Sequence, residues 1–228
     1  MMTSKKDLSE RDICTQFILP SLIKSGWDVE KQIREEVFFT DGRIFVKGNK
    51  TARGERKRAD YILYLKPNIP IAVIEAKDNN HSVGAGLQQA LKYATILDVP
   101  VAFSSNGDGF IMHDRSGFSH PIEQDLTLDT FPSPNALWTI YKKYKGIEKP
   151  EQEEIASFDY FFDGSGRAPR YYQQIAINRT VEAIARGQNR ILLVMATGTG
   201  KTYTAFQIIY RLWKSGQKKR ILFLADRN

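Results

Sequence analysis

The sequence offers very little sulfur chemistry. Its 228 residues contain one cysteine, Cys14, so no disulfide can close within the chain, and Cys14 on a helix-patterned stretch reads as a core residue. The histidines, His81, His113 and His120, show no paired spacing with cysteine, which argues against a zinc site. Long apolar runs are missing too. Ile191 to Ala196, among the longest, is six residues, against the roughly 20 that cross a bilayer, so no membrane partner is expected. The opening MMTSKKDLSERD turns polar where an export signal needs an apolar stretch, and a cytoplasmic location follows as the expectation. There is no internal repeat, no low-complexity tract and no serine, histidine or cysteine in triad context. Gly84-Ala85-Gly86 lacks the third glycine of a dinucleotide fingerprint.

What is present is an ordinary globular balance, 42% apolar and 26% charged, which excludes a disordered or fibrous chain. At roughly 150 residues per domain the length predicts about one and a half domains, enough for a buried core. The net charge of +7 and a pI near 9.4 favour a polyanionic partner such as nucleic acid. Much of that excess is local: Lys47, Lys50, Arg53, Arg56, Lys57 and Arg58 stand against Glu55 alone. Such a run is either a solvated loop or a surface that phosphates approach.

Leu8, Ile13, Phe17, Ile18, Leu22 and Ile23 recur at mostly helical intervals before Gly26, which predicts a first amphipathic helix over 8–25. Val29–Thr40 and Ile44–Val46 read as strands or a hairpin about Asp41-Gly42. Tyr61–Leu65 and Ile71–Ile74 read as adjacent strands parted by a two-proline turn. A helix over 83–97 follows, then strands Val101–Ser104 and Phe110–His113 about Asn106-Gly107. The stretch from His120 to Pro169 carries five of the nine prolines and one helical piece near Ala136–Tyr144, and a domain boundary is expected near 150–165. From Arg170 a helix leads to a strand at Ile191–Met195, a glycine turn, a helix from Lys201 to about Lys214 and a strand at Ile221–Ala225. That order is a βαβ unit of a parallel nucleotide-binding sheet. The expected organisation is thus a mixed α/β domain over 1–150, a linker over 151–168 and the truncated start of a second domain over 169–228.

MATGTGKT at 195–202 sits between an expected strand and an expected helix, the context that makes a phosphate-binding loop. Gly198 and Gly200 allow a tight turn, and with Thr197 and Thr199 the backbone N–H groups face phosphate oxygens at a helix N-terminus. Lys201 is placed to reach the β and γ phosphates, and the Thr202 hydroxyl to bind Mg2+. Met195 stands where the usual glycine-first pattern begins, and this form resembles the first motif of superfamily 2 helicases and translocases. RYYQQIAI at 170–177 resembles the glutamine motif by which members of that superfamily recognise adenine, with Gln173 matching; otherwise Gln173 is a helix-surface amide. ILFLADRN resembles the start of the next motif. ATP with Mg2+ is the implied ligand. The acidic strand end and the arginine that hydrolysis also needs cannot be located, so these 228 residues are not expected to turn ATP over.

Asp60 opens one expected strand, and Glu75 and Lys77 stand two apart at the end of the next, so both point to one face. Two carboxylates converging with a lysine are costly to desolvate without a cation and make physical sense around Mg2+, where phosphodiester hydrolysis is the chemistry. The bland alternative is a surface ion pair. The pattern, D-x14-E-x-K, resembles the PD-(D/E)xK nuclease superfamily, in which Ala76 would lend its backbone carbonyl to the metal. Gln89 and Tyr93, i and i+4 on the next helix, match the QxxxY element of its RecB-like branch. Glu10 resembles an extra acidic residue some members add, or is a solvent-facing helix-start glutamate. Ser104, Ser105 and Asn106 either touch substrate or form a turn.

A mixed-sheet PD-(D/E)xK, RecB-like core followed by the start of a parallel βαβ, RecA-like ATPase piece closely resembles the R subunit of type I restriction enzymes. That resemblance implies Mg2+-dependent cleavage of double-stranded DNA coupled to ATP-driven translocation. It also implies partner modification (methyltransferase) and specificity subunits, whose S-adenosylmethionine has no site here. The competing readings are a helicase-nuclease of repair or another defence system, and a DNA-binding module with an inactive nuclease-like core.

Overall fold

Ser9 and Asp12 begin the first helix by bonding each other's backbone: Asp12 N–H donates to Ser9 Oγ (3.2 Å) and Ser9 N–H to Asp12 Oδ2 (3.0 Å). The chain is described from a computed structural model at residues 4–40, 44–47, 50–53, 56–166 and 168–225, with the side chains of 44–47 and 50–53 not described. It divides into two units, 1–144 and 145–228.

In the first unit α1 (Glu10–Ile13) passes through a π-helical turn (Cys14–Ile18) into α2 (Leu19–Lys24). Ile13, Ile18 and Leu22 are fully buried, the stripe the helical spacing predicted. Residues 29–32 form a turn, not the start of a strand, and β1 is Ile33–Thr40. β2 (Ile44–Lys47) and β3 (Lys50–Arg53) pair with each other in a separate antiparallel ribbon. β1 pairs instead with β4 (Arg56–Lys66), so the expected hairpin of β1 with 44–46 does not form; its turn, Asp41-Gly42, lies outside the described residues. β5 (Ile69–Ala76) is buried along its whole length, as a central strand must be when helices or loops cover both faces. Pro67 and Asn68 alone make the β4–β5 turn, with Asn68 left-handed (φ 71°), and Pro70 lies inside β5 where the register shifts.

After a turn at 83–86, α3 (Leu87–Leu97) crosses to β6 (Val101–Ser105), which runs parallel to β5 because a helical connection has carried the chain back to the same end. β7 (Phe110–Asp114) and β8 (Glu123–Leu126) complete a six-stranded mixed sheet in the order β1-β4-β5-β6-β7-β8. β8 escapes the sequence reading because EQDL has neither apolar alternation nor β-branched residues. Phe131 fills one face of the sheet, 4.7 Å from Phe103 and 4.8 Å from Phe110 between ring centroids. α4 (Pro134–Lys145) then reaches the unit boundary.

The second unit holds α5 (Pro150–Ala156), α6 (Tyr171–Ala185) and α7 (Lys201–Lys214). All of α5 but Pro150 falls in the stretch expected as linker, and α5 packs on α6. Arg211 of α7 is fully buried: its Nη2 donates to the Ala156 carbonyl (2.7 Å) and its Nη1 to Asn178 Oδ1 (2.8 Å), which also accepts the Tyr160 hydroxyl (2.8 Å). The Gln207 amide grips the backbone of Phe161 from both sides, at 3.0 and 3.1 Å. The strands expected at 191–195 and 221–225 are not paired among the described residues, and Leu192, Val194, Leu222 and Leu224 are 80–87% exposed. A parallel pair has to be covered on both faces and extended by neighbours before it holds. No helix among the described residues is long and apolar enough to cross a membrane.

Candidate functional site

The antiparallel register of β4 and β5 pairs Tyr61 with Ile74 and Ile62 with Val73, so Asp60 and Glu75 come level at the next step. Asp60 is therefore in mid-strand; Arg56–Arg58, which looked loop-like for their charge, extend β4 and pair with β1. Ala76 N–H donates to Asp60 Oδ2 at 2.7 Å, fixing that carboxylate against the end of β5. Lys77 N–H continues the parallel ladder onto the Ser105 carbonyl (2.8 Å), and its ammonium turns back to Glu75 Oε1 (3.3 Å) and Glu10 Oε1 (3.5 Å). Gln89 Nε2 donates to the same Glu75 oxygen and lies 3.0 Å from Tyr93 Oη. Glu10, Asp60, Glu75, Lys77, Gln89 and Tyr93, with Arg56, Lys57 and Arg58, line one cavity of about 320 Å3.

Glu75 is 3% exposed and its Oε2 has no hydrogen-bond partner. Burial, then the neighbouring Asp60 charge, push its carboxyl up to about 8. Asp60 is raised as well, chiefly by burial, in spite of the Ala76 bond. Burial works against the Lys77 ammonium, yet the surrounding carboxylates, Glu75 foremost, raise it, so it is charged at neutral pH. A desolvated carboxylate pair with one orphan oxygen has the chemistry to hold a cation. Among the described residues no three His, Cys, Asp or Glu side chains form a ligand cluster. Mg2+ does not require one, because it keeps several waters and takes one or two carboxylates. The two carboxylates of Asp60 and Glu75 therefore suffice as protein ligands for such an ion.

Three supporting residues carry no motif. An added Cβ on Gly86 would stand 3.0 Å from both Glu75 Cγ and Ser104 Oγ, so any side chain there makes the acid or the serine give way by a few tenths of an ångström. Phe39 of β1 meets the Tyr93 ring edge-on at 5.0 Å. Glu36 of β1 has a left-handed backbone (φ 49°), and its Oε1 accepts from Arg11 (3.1 Å) and Arg58 (3.4 Å). That conformation costs roughly 1–2 kcal/mol, while exposed ion pairs of this kind return about 0–1 kcal/mol. Ser104, Ser105 and Asn106 are buried and spend their side chains on the backbone: Ser104 on Val83 and Gly86, Ser105 on Gly109 and Gly107, Asn106 on His81 and Asp108. They build the loops behind the site. Cys14 is half-buried, and burial pushes its thiol up to about 12, so it is unreactive.

In the second unit Gly198 (φ 77°) and Gly200 (φ 84°) turn the loop left-handed before α7, as a phosphate loop requires. Thr199 Oγ1 donates to the Ala196 carbonyl (2.6 Å), and the Lys201 ammonium lies 3.3 and 3.4 Å from the carbonyls of Met195 and Ala196. Thr197 and Thr202 are exposed. Gln173 is buried, not on the helix surface: it accepts from Arg170 N–H (2.8 Å) and donates to the Thr199 carbonyl (2.9 Å). Loop and glutamine thus come together, and the amide is bonded at both ends within the protein.

A mixed sheet carrying an opposed carboxylate pair with a lysine, followed in sequence by a phosphate loop opening a helix, is the architecture of a restriction-type nuclease core with a helicase-like piece. The profile described as "Type I restriction enzyme R protein N terminus" matches residues 44–117, and that of "Type III restriction enzyme, res subunit" matches 167–228. The chain is 55% identical over 223 residues to the EcoAI endonuclease subunit of a type I restriction enzyme of Escherichia coli, covering 97% of this chain and 27% of that one. It is 30% identical over 272 aligned residues to the EcoKI endonuclease subunit of Escherichia coli strain K12, covering 97% and 23%. A solved fragment assigned to an HsdR subunit of a type I restriction enzyme from Vibrio vulnificus YJ016 superposes with a TM-score of 0.76 at 44% identity, over 91% of this chain and 38% of that one. The chain belongs to the R-subunit (HsdR) family of type I restriction enzymes. It spans about a quarter of the length of the curated relatives.

Proposed function

We propose that the first unit cuts double-stranded DNA with Mg2+ and that the second is part of an ATP-driven translocating motor. In this reading the whole subunit works in the cytoplasm beside modification and specificity subunits. The observation that carries the cutting half is the buried, partnerless Glu75 Oε2 beside Asp60. Asp60, Glu75 and the Ala76 carbonyl would hold the ion, which supplies the charge that polarises a scissile phosphate. Lys77, kept protonated by its acids, stabilises the negative charge that develops there. Gln89, braced by Tyr93, fixes the rotamer of Glu75. Arg56, Lys57 and Arg58 receive the backbone at the cavity rim.

For the motor, Gly198–Thr202 would cradle the ATP phosphates, with Lys201 and Thr202 meeting the γ-phosphate and its Mg2+. Gln173 would reach adenine by exchanging one of its present bonds. The test is Asp60→Asn, Glu75→Gln and Lys77→Ala, each in the complete subunit assembled with its partners. Plasmid cleavage should vanish while ATP hydrolysis and translocation persist. Joint loss of all three activities would assign these residues to folding instead, and full cleavage would remove the nuclease assignment.

A further inference from the structure

Among the described non-glycine residues, left-handed backbone occurs at Glu36, Asn68 and Asp98. Asn68 makes the β4–β5 turn and Asp98 caps α3, both places where such a conformation is ordinary. Glu36 is different: it sits inside a strand. Its neighbours Glu35 and Val37 pair with Tyr61 and Ala59, which puts Glu36 level with Asp60. Among the described residues nothing local compensates for that strain, since the carboxylate and both arginines it meets are substantially exposed. What the twist achieves is an aim. One oxygen, Oε1, accepts from Arg11 on α1 and from Arg58 on β4, beside Glu10 and Asp60 respectively. The contacts, at 3.1 and 3.4 Å, are single and exposed, the kind another anion can exchange.

We propose that Glu36 is an internal counter-anion that holds Arg58 of the cavity lining, together with Arg11, the sequence neighbour of the cavity residue Glu10, until a DNA phosphate takes its place. The inference rests on the nuclease reading of the same cavity. A guanidinium that bonds a carboxylate through one oxygen is already placed to bond a phosphate, and the carboxylate neutralises it meanwhile. Glu36 thereby weakens loose capture of DNA and reserves Arg58 for a backbone that reaches the acids of the cavity. It is a positioning residue: it touches the phosphate-binding arginines and not the reacting atoms.

The experiment measures binding of a short DNA duplex of arbitrary sequence to the complete subunit in EDTA, so that nothing is cut, across a salt series. Glu36→Gln should bind several-fold tighter at low salt, with a plot of log K against log salt steeper by up to about 0.9 as the freed arginine gains a phosphate. Glu36→Gly, which also relieves the backbone, should do the same. Arg58→Ala should shallow the slope by a similar amount and cancel the Glu36→Gln gain when the two are combined. If Arg58→Ala weakens binding but neither Glu36 variant tightens it, the counter-anion role is wrong and the nuclease reading stands. If Arg58→Ala leaves binding unchanged, both fail at this surface.

Discussion

Glu75 concentrates the chemistry of the first unit in one side chain. Its carboxyl is held at about 8 against an ordinary 4.5, so the folded state favours the neutral form. That contribution to stability is complete below the ordinary value and is lost as pH rises through the interval up to about 8. In EDTA the melting temperature of the chain should therefore fall across that window. Glu75→Gln should flatten the decline, and Mg2+ should restore stability at the alkaline end by neutralising the pair; differential scanning fluorimetry reads all three. Gly86→Ala should cost about 1–3 kcal/mol by forcing a methyl group against Glu75 and Ser104. It should also cut cleavage while ATP hydrolysis in the complete subunit is spared. At this scale Asp60, Glu75, Lys77, Gln89 and Tyr93 were legible as candidates because strand alternation and i,i+4 spacing are local. Gly86, Phe39 and Glu36 were not, since each matters through a neighbour distant in sequence, and a glycine beside an acid is visible only when the helix is seen to arrive there.

At the scale of elements, β4 shows where local reading stops. Its apolar half, Tyr61–Leu65, was plain, but Arg56–Arg58 look like a solvated loop until pairing with Phe38, Phe39 and Thr40 makes them a strand. The same pairing puts the guanidinium of Arg56 3.9 Å from the Phe38 ring centroid. In the second unit α7 begins at Lys201 and ends at Lys214, as glycine placement and helical period predict, yet its fastening is tertiary. Arg211→Ala should destabilise this unit by at least about 2 kcal/mol, because the Ala156 carbonyl and Asn178 lose a buried donor. Chemical denaturation followed by tryptophan fluorescence at Trp213 measures it. Lys201→Ala, on the exposed first turn of the same helix, should leave folding intact and abolish ATP hydrolysis in the complete subunit, and cleavage that depends on translocation with it.

For the whole molecule the second unit is a helical assembly with two exposed apolar segments, 191–194 and 221–224. In the complete subunit these amides should be strongly protected from hydrogen exchange, whereas in the 228-residue chain they should exchange rapidly. The same chain should show no steady ATP turnover, since neither an acidic strand end nor a transition-state arginine is identified in it; measurable turnover would show that the phosphate loop hydrolyses ATP without them.

The sequence by itself determined the elements whose period is local, the phosphate loop, and the residue types able to bind a cation and a phosphate, because backbone turns and helix faces obey spacing of a few residues. Only the tertiary structure decided that β1 pairs with β4, that Asp60 and Glu75 stand level with one oxygen unsatisfied, and that Glu36 reaches across to Arg58. Those facts depend on register between strands many residues apart, and no local pattern encodes which strand lies beside which.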